Sequence, residues 1–124
     1  MTRLLRALAL ACLLASPALA QSSPQGFVPG AEDLPLMPGL EARAEEALVF
    51  DKPDGRIVQA AASGPADPAQ VLRFYADTLP QLGWQGDGQA REGQGRWRRE
   101  GERLEIRAER AGGRTLVRFT LSPA

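Results

Sequence analysis

Reaction chemistry at neutral pH leans on histidine, on cysteine, or on carboxylates whose pKa values are driven apart, and this chain is poor in all three. Its 124 residues include no histidine, and the single cysteine, Cys12, lies in an apolar run near the N-terminus. Imidazole proton transfer, thiolate attack and Cys/His zinc ligation therefore have no residues to work with in the rest of the chain. The acidic residues lack the spacing of a calcium loop, so no metal is expected. Asp51 and Asp54 sit close together, but turn geometry explains the run Asp51-Lys52-Pro53-Asp54-Gly55, and no pocket for paired acid and base work is visible. Tyr75 reads as a core aromatic and Arg73 as a solvated helix residue. Gly86, Gly88 and Gly93 have the look of a phosphate-cradling loop. A dinucleotide fingerprint, however, follows a strand and opens a helix, whereas here a helix precedes and a strand follows. No catalytic residue and no cofactor is expected.

The elements that position what remains start with the helix. Asp67 is a good N-cap, Pro68 suits the first helical position, and Gln70 completes a capping box. Leu72, Tyr75, Leu79 and Leu82 recur on one helical face, widened by Val71 and Thr78, while Arg73 and Asp77 point away. Pro80 cannot donate to Ala76, which predicts a kink or a loosened last turn. Gly83 then supplies a left-handed C′ residue, with Trp84 folding back as the hydrophobic partner of a Schellman ending.

The last third reads as a three-strand meander whose register can be deduced. A two-residue turn at Glu100-Gly101 sets Trp97 opposite Leu104, and another at Gly112-Gly113 sets Leu104, Ile106 and Ala108 opposite Leu121, Phe119 and Val117. Both turns send the Leu104 row inward independently, and a slip of one residue in either would destroy the match. The opposite face then carries Arg96, Arg98, Arg103, Glu105, Arg107, Glu109, Leu116 and Arg118. Its five arginines, Arg96, Arg98, Arg103, Arg107 and Arg118, meet only Glu105 and Glu109, a local excess of three positive charges. They form a candidate anion-binding face, since guanidinium suits carboxylate and phosphate.

Upstream, two arginines, an apolar run over residues 4–15 and the ending Ala18-Leu19-Ala20 read as a secretory signal peptide over residues 1–20. The run is short of the roughly 20 apolar residues of a membrane-spanning helix. Leucine at position 10 is out of place for lipid attachment at Cys12, which disfavours a lipoprotein. Cleavage after Ala20 removes Arg3 and Arg6, leaving 13 basic residues against 15 acidic and a formal charge of −2. A generic nucleic-acid binder would show a clear basic excess, so none is expected. Residues 21–46 read as a flexible Pro/Gly/Ser-containing leader, although Leu34, Leu36, Met37 and Leu40 are apolar enough for it to lie over the domain. Glu41 to Glu46 fits either a helical turn or an acidic bend. Residues 47–51 and 56–63 flank the Pro-Asp-Gly turn as a hairpin, its second strand turning Val58, Ala60 and Ala62 under the helix.

The expected fold is α+β, a ββαβββ two-layer sandwich in residues 47–124: a mainly antiparallel sheet with one helix across one face. The strand order is open, because the helical crossover can leave the first hairpin either parallel or antiparallel to the meander. The segments LPLMPGL at 34–40, VFDKPDGRI at 49–57, FYADTLPQLGW at 74–84 and the terminal glycine-turn hairpin resemble a group of small uncharacterised secreted proteins of proteobacteria. The resemblance implies a fold and brings no activity, cofactor or functional residue. The expected function is a non-catalytic periplasmic or secreted binding module. Its partner would be an envelope protein or an anionic envelope component, and its oligomeric state is open. The exported protein is expected to begin at Gln21, and an intact mass starting at Met1, or a lipid on Cys12, would contradict that reading.

Overall fold

The computed structural model describes residues 26–88 and 91–124. The signal peptide, the Ala20 cleavage site, Cys12 and residues 21–25 of the leader lie outside the described residues, as do positions 89 and 90 of the glycine-rich loop.

In chain order the elements are β1 (Phe27–Val28), β2 (Ala31–Pro35), β3 (Glu41–Ala42), a 3-10 turn (Ala44–Glu46), β4 (Leu48–Lys52), β5 (Gly55–Gly64), α1 (Pro68–Thr78), a second 3-10 turn (Leu79–Leu82), β6 (Gln85–Gly86), β7 (Gln94–Arg99), β8 (Glu102–Ala111) and β9 (Arg114–Pro123). The fold is α+β, with one helix laid on a mainly antiparallel sheet. The sheet runs β3-β5-β9-β8-β7-β6, with β4 pairing β5 along the same edge as β3. The crossover therefore leaves the first hairpin antiparallel to β9, with Val58 opposite Leu121 and Ala62 opposite Val117.

The meander forms in the deduced register. Trp97 faces Leu104, and Leu104, Ile106 and Ala108 face Leu121, Phe119 and Val117, all buried. Glu100 (φ 43°) and Gly101 (φ 80°) make the first turn, and Gly112 and Gly113 (φ 60° and 80°) the second, the positive-φ pairs that two-residue hairpins need. Gly95 has a different role. A Cβ there would come 2.4 Å from the Trp97 ring, so its hydrogen is what lets the indole lie flat on its own strand.

Helix α1 starts as expected: Val71 N–H donates to Asp67 O at 3.0 Å, and Asp67 N–H to Gln70 Oε1 at 3.0 Å. It loosens at Pro80 into the 3-10 turn and closes on Gly83 (φ 90°), with Trp84 N–H reaching Leu79 O and Gly83 N–H reaching Pro80 O. That is a Schellman ending. The buried stripe differs from the expected one. Val71, Tyr75 and Leu79 are fully buried, Leu72 is half-buried and Leu82 is exposed. The 3-10 turn advances each residue further round the axis than an α-helix does, which swings Leu82 off the face. The helix packs chiefly on β8, not on β5.

The leader takes the course that its apolar residues allowed and lies over the domain, so the domain begins upstream of residue 47. Residues 26–40 are part of the domain: Val28, Ala31, Leu34, Leu36 and Leu40 belong to the buried core. Glu41–Ala42 then pairs with Ala62 and Ser63, and the helical turn that was one of the two expectations forms as a 3-10 turn over Ala44–Glu46 only. The Tyr75 hydroxyl ties the leader to the helix, donating to Pro35 O at 3.0 Å and accepting from Met37 N–H at 3.1 Å. Burial raises the pKa of this phenol, and the Met37 N–H only partly opposes that, so the hydroxyl stays protonated and can donate. At the open end of the sheet, Asp33 accepts from Arg56 Nη2 at 3.1 Å and from Arg99 Nη2, and Arg56 also lies 3.5 Å from Glu102. A second correction concerns the glycine-rich stretch, which contributes a short edge strand where a loop was expected: Gln85–Gly86 pairs with Trp97–Arg98.

Asp67→Ala is expected to lower stability by about 1 kcal/mol as a lost N-cap, and Trp97→Ala by roughly 3–5 kcal/mol as a core truncation. Denaturant melts in which Trp97→Ala is the milder change would contradict the buried Leu104 row. Asp33 supplies a pH-dependent test. Burial raises its pKa, but the hydrogen bonds from Arg99 and Arg56 outweigh that and hold the carboxyl below its ordinary value. A depressed folded pKa gives stability that is present above the unfolded value of about 3.9 and is lost as pH falls through the folded one. With 38% of its side chain exposed, Asp33 is partly screened, so Asp33→Asn should cost about 1 kcal/mol at pH 7. Melts at pH 7 and pH 2.5 should show that difference shrinking in acid, and a constant difference would mean that its charge is irrelevant.

Candidate functional site

Directly paired residues share a face, so the side of the sheet away from the helix can be read row by row. One row runs Arg98, Arg103, Ser122 across β7, β8 and β9, while Ile57 on β5 stands opposite Phe50 on β4; the next runs Arg96, Glu105, Thr120, Gln59, Leu48; a third runs Gln94, Arg107, Arg118, Ala61. The outer face is thus graded, cationic over β7 and β8 and apolar at β4.

All five predicted arginines lie on this face, with Arg98 opposite Arg103 and Arg107 opposite Arg118. Three of them have acidic partners. Glu105 takes both Arg107 Nε at 2.7 Å and Arg96 Nε at 3.7 Å, and Asp87 takes Arg98 Nη2 at 3.2 Å. Among the described residues, Arg103 and Arg118 have no ion pair. Asp87 was not counted in the sequence reading because it lay in the glycine-rich loop; pairing of β6 with β7 brings it onto Arg98 and cuts the local excess from three charges to two. The side chains of Arg96, Arg98 and Arg107 are more than half exposed, so water and salt screen these pairs.

The edge strand β4 was not singled out in the sequence. Leu48, Val49 and Phe50 are 50%, 50% and 53% exposed, and among the described residues β4 pairs only with β5. Arg43 N–H donates to Ala61 O, so the odd-numbered residues of β5 turn their backbone groups toward this edge. Leu48, Phe50 and Lys52, opposite Gln59, Ile57 and Gly55, consequently spend their backbone groups on β5, while those of Val49 and Asp51 point outward. The signal was present in the sequence as three consecutive apolar residues without alternation, a pattern that a half-buried strand does not need.

Two open depressions flank the helix. One, of about 670 Å³, lies between the start of α1 and β8 and is lined by Leu72, Arg91, Arg110 and Asp67, whose carboxylate pairs with Arg110. The other, of about 440 Å³, lies below the helix end and is lined by Leu82, Gly83, Arg98 and Arg99. Arg98 is held there by Asp87, and Arg99 by Asp33, by Leu82 O at 3.2 Å and by the Trp84 ring, 4.4 Å below its guanidinium. Four of the charges lining the two hollows, Asp67, Arg110, Arg98 and Arg99, are thus engaged with the protein itself. Among the described residues no group of acidic, cysteine or histidine side chains is arranged to hold a metal, and no helix is long and apolar enough to cross a membrane. Asp51 and Asp54 lie in and just after exposed β4 at the hairpin turn, away from both hollows.

No protein-family model matches the chain, and no curated protein matches it. Among solved structures it is similar to CalU16 from Micromonospora echinospora, at 17% identity and a TM-score of 0.36, over 68% of this chain and 70% of that one. At that level of likeness nothing said of CalU16 transfers to this chain.

Proposed function

We propose that the chain is a non-catalytic secreted or periplasmic binding module that engages a protein of the cell envelope by adding a strand at β4. The observation that carries this reading is the bare edge itself: three consecutive half-exposed apolar side chains beside outward backbone groups at Val49 and Asp51. Natural sheets usually blunt such an edge, and an unblunted one is a template for pairing with another chain. Export rests on the signal-peptide pattern of residues 1–20 and on the resemblance to small secreted proteins.

A second reading, capture of an anionic envelope component by the outer face, is favoured by Arg103 and Arg118, which have no acidic partner among the described residues and stand opposite other arginines. Like charges directly opposed are mildly destabilising, so stability alone would not select them.

One set of variants separates the two. Val49→Pro removes an outward N–H that the fold does not use, and the Arg103→Glu/Arg107→Glu pair reverses the face. Strand addition predicts that the exported protein retains specific envelope proteins, that Val49→Pro loses them and that the double reversal keeps them. Retention on anionic liposomes that falls with salt and vanishes in the double reversal, with no effect of Val49→Pro, would replace the first reading by the second.

A further inference from the structure

Resting on the β4 reading, we propose that the strand added at this edge is β4 of a second copy. The two strands pair antiparallel about a two-fold axis through Val49.

The argument is the self-complementarity of the strand. An isologous interface requires a patch that matches itself after a two-fold rotation. Counting outward from Val49, Leu48 and Phe50 come first, then Ala47 and Asp51, then Glu46 and Lys52. Antiparallel pairing centred on Val49 therefore sets Leu48 of each copy against Phe50 of the other on the outer face, and brings Lys52 to the end of the other copy's 3-10 turn, where the Glu46 side chain is exposed. Backbone parity agrees. Val49 and Asp51 turn their backbone groups away from β5, so Val49 pairs with Val49 of the other copy; Ala47, extended at φ −82° and ψ 129°, spends its N–H on Ala44 O and can offer the other copy's Asp51 N–H only its carbonyl. The inner side of Val49 is backed by the β1–β2 turn, where a Cβ on Gly30 would come 2.6 Å from Val49 Cγ2, so the strand is held flat against its own copy while its edge stays open.

Charge selects among the registers. Moving the axis one residue to Phe50 keeps the backbone parity, but it brings Glu46 opposite Asp54 and Leu48 opposite Lys52. Of these two registers, the one centred on Val49 brings unlike charges together, and Lys52, the chain's one lysine, has no ion pair among the described residues. Glu46 has only an exposed contact with Arg43 at 3.4 Å, which yields readily to a second cation. The arginines do not oppose the union. Residues on β8 of the two copies would stand seven strand spacings apart, roughly 34 Å, against a screening length of about 8 Å in physiological salt.

Sedimentation velocity on the exported protein over a range of concentrations tests the proposal. The expected result is a monomer–dimer equilibrium. Lys52→Glu should weaken it about tenfold at low salt, the combined effect of two symmetry-related charge pairs. Glu46→Lys/Lys52→Glu should restore it to within about threefold, and Val49→Pro should leave monomer. Both charge variants lie on exposed side chains, so they keep the test decisive even where Val49→Pro perturbs the strand. A strictly monomeric wild type, or a double variant no tighter than Lys52→Glu, overturns the self-pairing. If a monomeric wild type still retains partners that Val49→Pro loses, the docking strand stands and only its occupant was wrong; loss of both results sinks the strand-addition reading beneath it.

Discussion

A single helix cannot cover this sheet. Six strand positions at about 4.8 Å span roughly 24 Å, while a helix with its side chains is about 10–12 Å across. Once α1 has settled over β8, the apolar side chains of β5 need another lid, and residues 26–40 supply it. Gly30 lies against Val58, Leu40 lies against Gly64, and Asp33 reaches Arg56. Such a segment has little regular hydrogen bonding of its own to hold it, which is why the Tyr75 hydroxyl matters. It satisfies Pro35 O and Met37 N–H together, at the point where the leader passes the helix. The same ring packs edge-on to Phe119, 5.5 Å between centroids, so one side chain joins helix, leader and sheet.

How much could be read in advance followed from how local each constraint was. The β7–β8–β9 register was legible because two tight turns fix it and alternation confirms it, with Trp97, Leu104 and Leu121 in one row. The ends of α1 were legible because capping at Asp67 and the Schellman ending at Gly83 use neighbouring residues only. The leader was legible only in part: Leu34, Leu36 and Leu40 were apolar enough to lie over the domain, but Val28 and Ala31 show no helical or strand period, and what buries them is a surface distant in sequence. Leu82 failed for a related reason. Its place on the expected stripe assumed α geometry through Pro80, and the tighter 3-10 turn rotated it outward. The arginine face was placed residue by residue, yet its charge balance was not, since Asp87 reaches it through β6 pairing that a glycine-rich stretch does not announce.

The two edges of the sheet are treated differently, and that asymmetry bears on function. On the β7 side, β6 contributes two exposed polar positions, and Asp87 N–H continues the pairing to Arg96 O at 2.9 Å. That edge is short, glycine-containing and charged, the usual means of discouraging association. On the other side, β3 and the 3-10 turn cover the far half of β5, but β4 runs five residues in the open, beginning with Leu48, Val49 and Phe50. Asp51 and Lys52 guard only the end next to the turn. A chain that protects one edge and leaves the other apolar has a preferred direction for growth of its sheet.

The graded outer face follows from the same layout. Its apolar end, Leu48, Phe50 and Ile57, adjoins the open edge, whereas Arg103 and Arg107 lie three strands away on β8. Strand addition at β4 would extend the apolar end and leave the arginines exposed. A ligand laid across the cationic rows, conversely, would not reach the backbone groups of Val49 and Asp51. The two surfaces therefore compete for nothing, and each can be disabled without touching the other. This separability has a structural cause: Gln59 on β5 and Thr120 and Ser122 on β9 stand between the apolar end and Arg96, Arg98 and Arg103, and Arg118 carries the cationic face onto β9 only in the row that ends at Ala61. Small and polar side chains there would add little of their own to either kind of contact, so specificity in the proposed strand addition would rest on the β4 backbone and three apolar residues, and any affinity for anions would rest on guanidinium groups that salt can screen.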